Sequence, residues 1–208
     1  MKKIFMFVNV DWFFLSHRLV IAQESIANDI EMVVYTDFTQ SHRKGEYEGF
    51  KLEQSPVRRK YRSLIYLIRE FVSSYRLIRK HKPDLIHAVT IKPIIMLGLI
   101  ARLTSTPFIG AISGLGPGFS ASSALSKMRL KLIVILFKIV FGGDRSSAIC
   151  QSVNDRDVLL YLGISLHEKV TIIKGSGVDT KLYSPSSKLV DCDPYVLMAS
   201  RMLGDKGV

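Results

Sequence analysis

The chain has 208 residues, 48% hydrophobic and 23% charged, proportions that exclude a disordered or collagen-like polypeptide and supply enough apolar side chains for a full core. Lysine and arginine total 29 against 18 aspartates and glutamates, a formal charge of +11, which points to an anionic partner: nucleic acid, an acidic membrane surface or a phosphorylated substrate. Cys150 and Cys192 lack C-x-x-C or metal-site spacing, so neither a zinc site nor a disulfide framework is expected, and a reducing cytoplasmic compartment is the default.

The apolar start at residues 3–10 reads as a buried strand and not as a signal segment, because Asn9, Asp11 and Ser16-His17-Arg18 cut it short. Residues 17–27 read as a helix, 31–35 as a strand, 36–49 as an exposed polar loop and 50–52 as a short strand. A long helix at 61–81 stops before Pro83. Then come a strand at 84–88, a helix at 91–103, a strand at 108–112, a helix at 124–141 and a strand at 147–151. A helix at 155–162 and a strand at 170–173 complete the series. The apolar run 132–137 is far shorter than the roughly 20 residues a membrane span needs. Continuous apolar strands separated by crossover helices specify a doubly wound, Rossmann-like α/β domain with a parallel sheet, expected over residues 1–179. Residues 180–194, with Pro185, Pro194 and several serines, have linker composition. A new apolar strand at 195–199 then opens what reads as a truncated second domain, 195–208.

In an open parallel sheet the ligand site lies at the carboxyl ends of the strands. After the first strand, Ser16 is placed to cap the following helix, with His17 and Arg18 in its first turn, where backbone N–H groups attract anions. A helix start with a solvated basic pair is the plainer reading of the same residues. No G-x-G-x-x-G follows that strand, which argues against a dinucleotide-binding dehydrogenase. His87, on an apolar strand, fits a satisfied core histidine better than a catalyst, whereas Lys92, near a helix start, is the better candidate to face a ligand. Gly114 and Gly116 lie in a glycine-rich turn that suits either close approach to a phosphate or simple flexibility. No nucleophile elbow, HExxH pair or EF-hand is present, and no metal or cofactor is expected.

The later segments are more specific. Ile173-Lys174-Gly175-Ser176-Gly177-Val178-Asp179 is followed by Tyr183 and Pro185, and Arg201-Met202-Leu203-Gly204-Asp205-Lys206-Gly207 closes the chain. With Phe14-Leu15-Ser16-His17-Arg18-Leu19 and Asn154-Asp155-Arg156-Asp157, these resemble the retaining glycosyltransferases of GT-B fold, group 1 or family 4, over nearly the whole chain. The resemblance implies the N-terminal, acceptor-side half of that fold, a nucleotide-sugar donor and no metal. It implies that Arg201 and Lys206 hold the donor diphosphate, that Gly175, Gly177 and Asp179 form the interdomain turn, and that Gly114 and Gly116 face the cleft. By the same resemblance His17 is the catalytic candidate facing the acceptor, flanked by Ser16, Arg18 and Lys92. The family's paired glutamates would belong to a second domain beyond Val208.

Arg62, Arg69 and Arg76 recur every seven residues and share a helix face, and Lys127, Lys131 and Lys138 fall on one side of an apolar helix. Such stripes are either solvated faces or docking surfaces for anionic lipid. Nucleic acid is not expected, since stacking aromatics are not interleaved with the cations. The expected function is transfer of a hexosyl unit, with retention, to a lipid-linked or surface-polysaccharide acceptor. It would take place in the cytoplasm or on the inner face of the membrane, with this stretch inactive by itself. The rival is a non-catalytic remnant that binds membrane or partner proteins.

Overall fold

The computed structural model describes residues 1–39, 45–47, 49–58, 63–115, 123–165 and 167–175, with 177, 180, 184 and 196–199. Gly116, Asp179, Arg201, Lys206 and Arg62 lie outside the described residues. The chain divides into a unit Met1–Ser176 and a second, Gly177–Val208. In the second, the described residues 196–199 carry no assigned secondary structure.

The first unit begins with β1 (Lys2–Val8), α1 (Asp11–His17), α2 (Leu19–Ala27), β2 (Ile30–Thr36), β3 (Gly45–Tyr47) and β4 (Phe50–Gln54). It continues with α3 (Leu64–His81), β5 (Leu85–Val89), α4 (Ile91–Thr104), β6 (Phe108–Ile112) and α5 (Ala124–Phe141). β7 (Ser146–Cys150), α6 (Val153–Tyr161) and β8 (Val170–Ile172) complete it. The strands form one sheet in the order β3-β4-β2-β1-β5-β6-β7-β8, parallel except for the β3–β4 pair. This is the doubly wound α/β fold that the alternation of elements specifies. Two elements escaped the sequence reading: β3, inside the stretch read as loop, and α1, inside the stretch read as a strand-to-helix connection.

Alternate residues of the central strands feed two cores. Phe5, Phe7, Ile86 and Ala88 pack with Ile78 of α3, Leu97 of α4 and Phe137 of α5. Met6, Val8, Met32 and Val89 pack with Phe14 of α1 and Ala22 of α2. Burial on both faces is why the strands read as unbroken apolar runs.

The helical layer is closest at Gly98 of α4, where an added Cβ would overlap Val140 Cγ1 of α5, and at Gly110 of β6, where it would meet Phe141 Cζ at 2.7 Å. Alanine in a helix interior gains about 1 kcal/mol over glycine, but overpacking a tight core costs about 1–3 kcal/mol, so the overlap should win. Gly98→Ala is expected to destabilise the fold by about 1–2 kcal/mol in denaturant unfolding, and Val140→Ala in the same background to recover most of the loss.

Candidate active-site crevice

β1 is flanked by β2 and β5, and the crossovers leave them on opposite faces of the sheet, through α1 and α2 from β1 and through α4 from β5. Strand order thus reverses between β1 and β5, which in open α/β sheets is where a ligand crevice opens at the carboxyl ends.

The first wall of that crevice hangs on Asp11. Its fully buried carboxylate accepts the Trp12 N–H at 2.8 Å, the Thr39 N–H at 2.9 Å and the Thr39 hydroxyl at 3.1 Å. The start of α1 is thereby pinned to the loop after β2. Phe14 turns into the core, and the helix ends at His17.

Ser16 therefore does not cap the next helix. Its hydroxyl donates to the Trp12 carbonyl one turn back at 2.7 Å, and α2 begins from Arg18 without a side-chain cap. His17 is exposed in the last turn of α1, its ring stacked on Phe13 at 4.5 Å and its Nδ1 2.5 Å from Ser16 Oγ. Arg18 turns inward at the helix junction. Its Nη2 donates to Ser113 Oγ, at the end of β6, at 3.3 Å, and burial lowers its pKa from the ordinary value.

Beneath Arg18 lies His87 of β5, 7% exposed, whose Nε2 has no hydrogen-bond partner. The two side chains, with Gln151 and Gly175, line a cavity of about 40 Å³, room enough for ordered water beside the unpaired nitrogen. Burial first, and the Arg18 charge second, push the imidazole pKa down to about 4. His87 is thus a buried histidine, as its apolar strand suggests, but one that borders the crevice.

Thr90, the next turn of chain, gave no signal in the sequence. It holds φ 75° and ψ 159°, a region that is nearly glycine-only, and its Oγ1 is buried without a partner. Backbone strain of this kind costs about 1–3 kcal/mol and gathers at functional sites. Lys92 is engaged within the fold: its Nζ lies 2.7 Å from Glu70 Oε2 and donates to the Arg58 carbonyl at 2.7 Å, in a largely buried pair joining α4 to α3. Removing either partner of such a pair typically costs about 3–5 kcal/mol.

Gly114 has φ 99°, which requires glycine, and the following Leu115 N–H donates to Asp155 Oδ1 at 3.3 Å. Asp155 is itself held by the α6 cap, Ser152, whose hydroxyl lies 2.7 Å from Oδ2. Gly175 and Gly177 also take positive φ, 68° and 67°. The structure therefore brings Arg18 and Gly175 to His87, sets Gly114 directly after Ser113, leaves Ser16 and His17 exposed, and engages Lys92 in an ion pair with Glu70. A larger groove of about 750 Å³ runs along the sheet under α3, lined by Phe5, Tyr35, Lys51, Glu53 and His81, but it includes neither Thr90 nor any of the gathered residues.

The fold is a doubly wound α/β domain with a crevice at the carboxyl edge of its sheet, and the comparisons place it in a family. The family model for glycosyl transferase 4-like proteins matches residues 3–144, and the chain belongs to that family. The structure of sucrose-phosphate synthase from Thermosynechococcus elongatus superposes with a TM-score of 0.59 at 13% identity, over 90% of this chain and 51% of that one. HepE from Anabaena, in complex with UDP-glucose, gives 0.58 at 16% identity over 90% and 47%. UDP-GlcNAc 2-epimerase from Methanocaldococcus jannaschii gives 0.56 at 12% identity over 83% and 45%. The chain spans about half the length of these structures. No curated protein matches it.

The His87 pKa sets a pH dependence. An unfolded histidine titrates near 6.5, so the stability carried by the neutral folded ring is complete above that pH and is lost as pH falls toward about 4. In proton NMR the His87 ring should stay neutral through pH 5. His87→Gln should flatten the stability profile between pH 6.5 and 4, whereas titration near 6.5 would show an open, solvated ring.

Proposed function

We propose that this chain is the acceptor-side domain of a glycosyltransferase that moves a hexosyl unit from a nucleotide sugar to a hydroxyl of a lipid-linked or surface-polysaccharide acceptor, with retention. Membership of the glycosyl transferase 4-like family is the observation that carries the reading. The UDP-glucose held by HepE, a protein of the same fold, supports a nucleotide-sugar donor.

In the reaction, the bond from the anomeric carbon to the diphosphate oxygen breaks and a bond to the acceptor oxygen forms on the same face of the sugar. The acceptor hydroxyl gives its proton to His17 Nε2 and the nucleoside diphosphate leaves with the bonding electron pair. With Nδ1 engaged by Ser16, His17 offers Nε2 to the acceptor hydroxyl from the exposed rim. Ring stacking on Phe13 fixes the plane of the imidazole, which sets the direction of that hydrogen bond. Arg18 and the strained turn at Thr90 shape the wall beside it. Arg201 and Lys206 are the proposed ligands of the donor diphosphate, where two cations would stabilise charge developing on the leaving group.

The 208-residue chain alone should bind UDP-glucose more weakly than millimolar in calorimetry, because the neighbours it resembles are about twice as long. In a polypeptide that supplies both walls of the cleft, His17→Ala should lower kcat by about 10²–10⁴ with the donor KM little changed. Lys206→Ala should lower kcat through the donor side. Full turnover in the His17→Ala protein would remove this histidine from the reaction, and robust transfer by the 208-residue chain would misplace the whole site.

A further inference from the structure

α5 buries one side in its last turns, where Phe137, Val140 and Phe141 are enclosed, with Val140 against Gly98 of α4 and Phe141 against Gly110 of β6. Its other side is also apolar and, among the described residues, largely exposed. Leu125, Met128, Leu132, Ile135 and Ile139 are 71, 64, 56, 55 and 45% exposed. They follow one another at steps of three and four residues, so they form a single stripe along the helix. Exposed stripes of large aliphatic residues are rare on monomeric proteins and mark interaction surfaces.

The charges beside the stripe identify what covers it. Lys127, Lys131 and Lys138 lie along one flank and Arg129 along the other, all exposed, and α5 contains no aspartate or glutamate. A second copy packing through this stripe would set the lysine flank against itself in an antiparallel pair and against the Arg129 flank in a parallel one, with no carboxylate on α5 to pair with either, which disfavours self-association. An anionic lipid surface satisfies both features at once, with the aliphatic side chains among the acyl chains and the cations at the phosphates. At 18 residues α5 is about 27 Å long, and among the described residues no helix is long and apolar enough to cross a membrane. Its geometry is that of a helix lying in the interface.

We infer that α5 is a membrane-interface helix, by which the domain docks flat on anionic lipid. This goes beyond the transfer reaction and needs no nucleotide sugar to be tested. It also differs from docking by the arginines of α3. Arg69 and Arg76 do share an exposed face there, and Leu64, Ile65, Tyr66, Ile68 and Val72 are exposed too, but these apolar residues stop at the middle of that helix and do not run its length as the α5 stripe does.

The test is sedimentation of the full 208-residue chain with vesicles of phosphatidylglycerol and phosphatidylcholine in equal parts, against phosphatidylcholine alone. Binding is expected to the mixed vesicles, to weaken with salt, and to fall roughly tenfold or more in Leu132→Gln/Ile135→Gln. Because both positions are exposed, the melting curve of that variant should match the parent. In a Trp12→Phe background, Met128→Trp should shift its fluorescence to the blue on mixed vesicles and be quenched by brominated acyl chains. Undiminished binding of the double glutamine variant, loss of binding only in Arg69→Glu/Arg76→Glu, or an unquenched Trp at 128 would each overturn the proposal. So would a concentration-dependent dimer that the glutamine variant abolishes.

Discussion

A parallel sheet whose two faces are both buried is the constraint behind everything else in this molecule. Because the crossovers run on both faces, helix starts and strand ends collect on one edge, and the order reversal between β1 and β5 leaves that edge open. Polar groups can be placed there without unsettling either core. Asp11, Arg18, Ser113 and Asp155 are the groups that use the opportunity, each bridging segments distant in sequence. They act on the backbone around the crevice and leave its floor to His87 and its rim to His17.

The most informative feature of that edge is a pair of local penalties. Thr90 is held in a backbone conformation that disfavours a β-branched residue, and His87 keeps a ring nitrogen without a partner. Neither improves the core, and both sit within one turn of chain at the switch point. A core under selection for stability alone would place glycine at Thr90 and an apolar residue at His87. Their presence together is what separates this edge from the larger groove under α3, whose walls are ordinary paired surface residues such as Lys3 and Glu31.

Much of the fold was legible because burial on both faces writes itself into β1, β2, β5 and β6 as unbroken apolar runs. α1 was not, because seven residues are too few to show a helical period and its inward side chain, Phe14, reads equally well as the tail of a strand. Ser16 was misplaced for the same reason: a serine before a helix reads as a cap until another helix is seen to end on it. β3 pairs only at a sheet edge and carries no apolar alternation. At the site, the glycine-rich turn at Gly114 was visible from its composition, whereas the pairing of Lys92 with Glu70 depends on how α3 and α4 pack and leaves no local trace. The strain at Thr90 is invisible in sequence altogether, since threonine is an ordinary residue at the end of a strand.

Amide and methyl chemical-shift mapping of the 208-residue chain during titration with UDP-glucose and with a polyprenyl-phosphate glycan tests the site most directly, because it registers weak binding. If the carboxyl edge is the working surface, the shifts should concentrate at His17, Arg18, Thr90, Ser113 and Gly114, and Arg18→Ala should abolish them. Shifts confined to Tyr35, Lys51, Glu53 and His81 would move the site to the groove under α3 and contradict the assignment.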